Sequence, residues 1–549
     1  MATCRQIATS EEYGDFIVNY SGENDRAVET FGGQCFQRIS GYYGIIYKSL
    51  AETGSLSIRN YSFGSIPALY GLMEREIGVR SHGLETALEN AGVLRLQNQP
   101  VLQLKGQGCI MAFIDTGINI EDNEFRDGNG DTRIIRLWDM TDDTGNPPKG
   151  ILYGSEYTEE DINMALREGM PANGRYMGHD SLNHGNVLAR ISAGNTGAAP
   201  EAYIVVVKLK EAKKYLKDYY FIRQEVPAYQ ENDIMLAVNY IKGISLALNL
   251  PVSLCIALGS NGRSHDGRSA LSYILDRFVS STGAVAVLSA GDEGNRQLHF
   301  SGTVKKENVA EAMEIRVDER QKGLTVNIWG DNPQIFSVGI VSPTGESIPR
   351  VPARIGKSEI YQLIFDNTTV TIEYELVEGD SGDELILISL NRPTAGVWTI
   401  YIYGDNILYG SYNAYLPISQ FIYENTYFLK PDPEITITDP AYARQIITTT
   451  TYNASTNALY ISNGRGFARD SAIKPDLASP LSCGITAGAS CQFLTWGIVD
   501  GNDKELRCSD IKSYLIRGAV RREDITYPSR EWGYGALNVY EAFERLRGD

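Results

Sequence analysis

Residues 107–117 read QGCIMAFIDTG, an apolar run that stops on an acid and a tight turn. A run this short, apolar and rich in strand formers is the mark of a strand buried on both faces. Segments 203–208 (YIVVVK), 253–258 and 284–289 repeat the pattern. Between them, 233–248 (DIMLAVNYIKGISLAL) carries apolar residues at near-helical spacing, with Asp233 placed to cap it, and 270–279 reads as a second helix. Strand and helix alternating in this way predict an α/β fold, a parallel sheet with helices on both faces.

The flanking sequence has a different character. Residues 15–20 (DFIVNY) read as a strand, and 35–48 as two strands around 40–42. Segment 65–73 (SIPALYGLM) reads as a short helix with proline near its start. Residues 1–90 are therefore expected to form a small α+β unit. From 301 to 430 the strand-like segments 323–329, 335–340, 370–376, 385–390 and 397–404 are separated by turns, without a long helical pattern. They predict an inserted all-β sandwich, jelly-roll-like, so the central domain would comprise 91–300 and 431–549. Helical patterns return at 487–496 and 538–547.

Composition narrows the function. Of 549 residues, 43% are apolar and 21% charged, the mix of a folded protein. A net charge of −18 argues against nucleic acid as a partner, since phosphate contacts need a basic face. No apolar run approaches the roughly 20 residues that span a bilayer, so no membrane partner is expected. The start, MATCRQIATSEEYGDF, lacks a basic end followed by an apolar stretch, so no secretory signal is expected. The seven cysteines form no CxxC and no Cys/His cluster, which favours a reduced, cytoplasmic setting and no structural zinc.

Chemistry in open α/β sheets gathers at the carboxyl ends of strands. Asp115 ends one strand; His184-Gly185 opens a helix; Ser289-Ala-Gly-Asp292-Glu-Gly-Asn295 follows another strand. An acid that orients an imidazole, an imidazole that takes a nucleophile's proton and a donor that holds the oxyanion make a hydrolase relay. Each piece alone also has a plain structural reading, a turn residue or a cap. His179, in the loop GHDSLNH, rivals His184 on composition. Asp127-Gly-Asn-Gly-Asp131 has acids at calcium-loop spacing, but Thr132 and Trp138 stand where that loop needs Gly and Glu, so a turn and no metal is expected. Acid-rich 156–161 reads as a solvated helix start.

Together the pieces resemble the subtilases, the subtilisin-like serine proteases. FIDTGI at 113–118 matches the motif of the family's Asp, and NHGNVLA at 183–189 resembles its His motif. IALGSN at 256–261 matches the substrate-lining strand, making Ala257, Leu258 and Gly259 the expected groove. SAGDEGN at 289–295 matches the oxyanion segment, KPDLASP at 474–480 the segment before the serine, ITAGAS at 485–490 the helix after it, and GYGALNVYEAF at 533–543 the closing segment. The resemblance spans the chain and is strongest to clostridial-type intracellular subtilases, including the germination-specific Csp group of spore formers. It implies that residues 1–90 are propeptide-like, that no cofactor is used, and that the compartment is the cytoplasm or the spore. It also implies that an uncut propeptide rests in the groove with its end near 80–90.

The departures carry as much weight. Counting back eight residues from Gly488 puts Pro480 where the family has its nucleophilic serine, with Ala478 and Ser479 before it. The connection that carries the serine's own strand is missing. Ser479, Ser482 and Cys483 are near, with Ser482 the best displaced nucleophile; Cys483 is read as a small buried residue. Asp292 stands at the oxyanion Asn, where losing a donor costs roughly 10²–10³ in rate. Asn186 and Arg190 replace the Thr and Gly of the His helix, and the Arg190 guanidinium must find solvent or an acid, Asp115 and Asp292 being candidate partners. Loss of the nucleophile removes around 10⁶ in kcat. The expectation is a pseudoprotease that regulates or binds a peptide or protein, such as an active relative, with Asp115 and His184 as a vestigial relay. The alternative is an active serine endopeptidase using Asp115, His184 and Ser482.

Overall fold

The computed structural model describes residues 2–76, 83–169, 176–307, 309–354 and 358–546. The apolar runs form the middle of a nine-stranded sheet. Its order is Ala458–Leu459, Ile447–Asn453, Ala284–Ser289, Val252–Ile256, Ile110–Asp115, Tyr203–Lys208, Ile134–Asp139, Ser155–Thr158, and Leu477–Pro480 pairs with Ile447–Asn453. The central pairs are parallel, with Val252 opposite both Ile110 and Ala284. Every residue of Ile110–Asp115, Val252–Ile256 and Ala284–Ser289 is buried, which explains their unbroken apolar sequence. Two helix pairs pack on these strands. One is Glu231–Leu248 with Ala270–Val279; the other is His184–Ala193 with Cys483–Leu494.

The N-terminal unit is a three-stranded antiparallel sheet, Tyr13–Asn19, Tyr43–Ser49 and Cys35–Arg38, with helices Cys4–Thr9 and Asn24–Phe31. A disulfide joins Cys4 to Cys35, a pair that the sequence reading left as thiols; the other five cysteines are free and buried. The unit docks through a buried polar cluster. Asp15 takes Lys213 Nζ at 2.6 Å, Gln230 Nε2 at 2.9 Å and Asn232 Nδ2 at 3.3 Å. A buried charge needs such partners to offset its desolvation.

Segment 65–73 is not the helix expected from its proline. Pro67 drives the residue before it toward extended backbone. Leu69–Leu72 is a strand, the middle of a three-stranded antiparallel sheet between Leu258–Gly259 and Tyr229–Gln230. The inserted domain is a sandwich of one six-stranded and one five-stranded antiparallel sheet, from His299–Thr303 to Tyr427–Phe428. Its alternating inward residues, such as Trp398, Ile400 and Ile402, close a separate core. The mixed α/β architecture with an inserted β domain is the one that the resemblance implies.

Candidate active site

Asp115 ends its strand fully buried, and the turn that follows wires it. Its Oδ1 accepts from Thr116 N at 2.7 Å, Thr116 Oγ1 at 3.1 Å and His184 Nδ1 at 2.8 Å. The His184 helix is docked by its second residue. A Cβ on Gly185 would lie 2.5 Å from Gly117 O and 3.0 Å from Asp115 Cβ, so only glycine lets the two elements meet. Asp180 caps that helix through the N–H groups of Asn183 and Asn186, both at 2.9 Å. It is His184, not His179, whose ring faces Asp115.

The other ring nitrogen of His184 donates to the carbonyl of Met73 at 2.7 Å. A carbonyl only accepts and a carboxylate only accepts, so both nitrogens carry protons and the ring is an imidazolium. Burial alone would lower its pKa. Asp115, the Met73 carbonyl and the charge of Glu74 outweigh that and raise it to about 9.

Ser482 is the N-cap of the fully buried helix Cys483–Leu494, its Oγ accepting from Gly484 N at 3.1 Å. Its hydroxyl donates to Glu74 Oε2 at 2.6 Å, and Cys483 N donates to Glu74 Oε1 at 3.0 Å. One carboxylate therefore takes both the serine proton and the first free N–H of a 12-residue helix, where the helix field favours an anion. Pro480 ends the strand Leu477–Pro480, two residues before this cap, and its carbonyl accepts from Ser482 N. Ser479 Oγ donates to Ser482 O at 2.6 Å, inside the turn. Cys483 Sγ lies 3.7 Å from Cys255 Sγ; that neighbour and burial push the thiol well up, away from nucleophilic thiolate.

Asp292 Oδ2 accepts from Arg75 N at 3.1 Å, and its buried Oδ1 has no hydrogen-bond partner among the described residues. Arg190 reaches neither Asp115 nor Asp292. It projects from the outer face of its helix, half-exposed, toward Asp122 at 3.6 Å and Glu124 at 4.0 Å.

Ala257, Leu258 and Gly259 line a filled groove. Leu258 pairs with Leu72 and Gly259 with Gly71, and Met73 N donates to Ala257 O at 2.8 Å. The chain continues unbroken through Met73–Glu74 into Arg75. The occupant is thus 69–74, not the stretch near 80–90; residues 77–82 lie outside the described residues, and Leu84–Asn90 is a helix that contacts Val93–Gln97. From above, Gln420 clamps the strand, its Oε1 accepting from Leu72 N at 3.1 Å and its Nε2 donating to Leu72 O at 2.6 Å. Beside the strand a cavity of about 360 Å³ remains, lined by Arg75, Asn183, His184 and Pro227 among others. Met73, Glu74 and Gln420 were missed in the sequence; the signal available was the extended backbone imposed before Pro67.

No family profile and no curated protein matches the sequence. Among solved structures, the Clostridium perfringens CspB protease is similar at a TM-score of 0.74 and 25% identity, over 84% of this chain and 97% of that chain. Fervidolysin from Fervidobacterium pennivorans, described as a keratinolytic enzyme related to subtilisin, is similar at 0.45 and 10%, over 97% of this chain and 61% of that one. With the Asp115–His184 pair, the parallel sheet and the inserted β domain, the chain has the subtilisin-like fold and is structurally similar to the CspB protease.

Proposed function

We propose that this protein keeps the subtilisin-like fold and its peptide groove but does not hydrolyse peptides, and that it acts as a binding or regulatory member of its family. The observation that carries the reading is the double engagement of the strand 69–74. His184 spends its Nε2–H on Met73 and Ser482 spends its hydroxyl proton on Glu74. A general base needs a free lone pair next to the nucleophile's proton. Asp292 adds negative charge where an oxyanion needs a donor. The partner expected is a peptide or protein, an active relative being the natural case.

A second reading, serine endopeptidase activity through Ser482, draws on one fact: that hydroxyl sits at a helix N-terminus beside a backbone N–H suited to an oxyanion. Reaction of the full chain with a fluorophosphonate, read by intact mass, separates the two. We expect no adduct and an uncut chain. An adduct on Ser482 that disappears in His184→Ala would replace the first reading with the second.

A further inference from the structure

The strand in the groove also reports what the groove reads. Tyr70 is fully buried, and its hydroxyl donates to Asp439 Oδ2 at 2.7 Å. Asp439 is itself buried. Its oxygens take Ser269 Oγ at 2.9 and 3.1 Å and Ser272 Oγ at 3.5 Å, with no cation in ion-pair range among the described residues. The pocket wall is fixed, since Asp439 and Ser260 exchange backbone hydrogen bonds just beyond the groove strand Leu258–Gly259. The next position is roofed over: a Cβ on Gly71 would lie within 2.5 Å of Gln420 Oε1 and Ile418 Cδ1, so a side chain there must push both side-chain ends aside.

We infer that the groove recognises an extended peptide carrying a Tyr-Gly pair, and that Asp439 is the specificity-determining residue that reads the tyrosine hydroxyl. The inference rests on reading the groove as a peptide-binding site. A phenylalanine fills the same volume but leaves a buried carboxyl oxygen with one shared serine proton, and an unpaired buried polar group is rejected far more strongly than a missing methylene. An alanine after the tyrosine meets the roof formed by Gln420 and Ile418. The ligand class is thus a strand-forming peptide with tyrosine followed by glycine, the chemistry that Tyr70-Gly71 displays from within.

Two measurements on the full chain test this. In Tyr70→Phe, hydrogen exchange of the Gly71–Met73 amides should be at least tenfold faster than in the parent; unchanged exchange overturns the inference. In Tyr70→Ala, where the native strand is weakened, the blocked peptide Leu-Tyr-Gly-Leu-Met should protect the Tyr229–Gln230 and Leu258–Gly259 amides at tenfold lower concentration than Leu-Phe-Gly-Leu-Met. Adding Asp439→Leu should erase that preference. Equal protection by the two peptides, or none by either, overturns it. Neither result depends on hydrolysis. A fluorophosphonate adduct on Ser482 would sink the non-hydrolytic reading and leave this one standing.

Discussion

The Nε2–H of His184 donates to the carbonyl oxygen of Met73 at 2.7 Å, while Nδ1 faces Asp115 at 2.8 Å. A ring with both nitrogens so engaged has no lone pair to offer a nucleophile. The strand therefore fills the groove and also fixes the protonation state of His184.

That protonation has a pH signature. The folded pKa of His184, about 9, lies above the ordinary value near 6.5. A group whose pKa is raised on folding contributes its full stability below the unfolded value and loses it as pH rises through the folded one. We expect unfolding free energy to fall between about pH 6.5 and 9. The fall should be smaller in His184→Gln. Denaturant titrations at several pH values across that window check it; parallel pH profiles for the two proteins would refute the assignment.

Glu74 should matter for stability more than a surface acid does. Glu74→Ala removes the acceptor of two buried donors and the anion at a helix N-terminus. We expect a loss of about 2–4 kcal/mol. Urea unfolding measures it, with faster exchange of the Cys483 amide as the local readout. No fluorophosphonate adduct is expected in this variant either, because Asp292 remains.

Gly185→Ala places a methyl 2.5 Å from Gly117 O. The helix must retreat from the Asp115 strand, at about 1–3 kcal/mol, the usual cost of overpacking. The imidazole proton resonance of His184, shielded from solvent in the parent, should broaden or vanish. An unchanged resonance with unchanged stability would show that the helix yields freely there.

Arg263 and Glu231 form a buried ion pair beside the groove. Arg263 also donates to the carbonyls of Phe63 at 3.2 Å and Ile66 at 3.0 Å, and Glu231 accepts from Ala68 N at 3.0 Å. Arg263→Met leaves Glu231 buried without its cation, and we expect roughly 3–5 kcal/mol of destabilisation. Arg263→Met with Glu231→Leu should recover part of that. Thermal unfolding of the two variants against the parent decides it.

The Cys4–Cys35 disulfide closes a loop with a sequence separation of 31. Closing a loop of that length contributes roughly 3–4 kcal/mol in the chain-entropy account. Reduction, or Cys4→Ser, should lower the unfolding midpoint of the N-terminal sheet, and the unreduced chain should react with an alkylating agent at five cysteines only after unfolding.

The sheet and the Asp115–His184 pairing were legible because their signals are local. Ile110–Asp115 and Val252–Ile256 are buried on both faces, and residues buried in that way must be apolar in sequence. The sandwich was legible for a related reason, the alternation along strands such as Gly396–Asn406. Leu69–Leu72 was not, because nothing within it distinguishes a helix from a strand that finds its partners 159 to 188 residues away in Tyr229–Gln230 and Leu258–Gly259. Counting back from Gly488 put the nucleophile's position at Pro480, which ends strand Leu477–Pro480, two residues before the helix N-cap Ser482. Arg190 does find solvent and acids as expected, but the acids are Asp122 and Glu124 rather than Asp115 or Asp292, because it lies on the outward face of its helix. The disulfide is a pairing across an antiparallel sheet and helix that spacing alone does not reveal.

The strand between Leu258–Gly259 and Tyr229–Gln230 is joined to the body it occupies. A tethered ligand competes at an effective concentration in the millimolar range for a short connection, with no loss of translational freedom on each return. An outside peptide of equal contacts would be displaced almost every time the groove reopened. Exchange of occupants is thus governed by how often Gln420 and Glu74 let go, and a partner that seized the inserted β domain and lifted Gln420 would act as a catalyst of release without touching the groove at all.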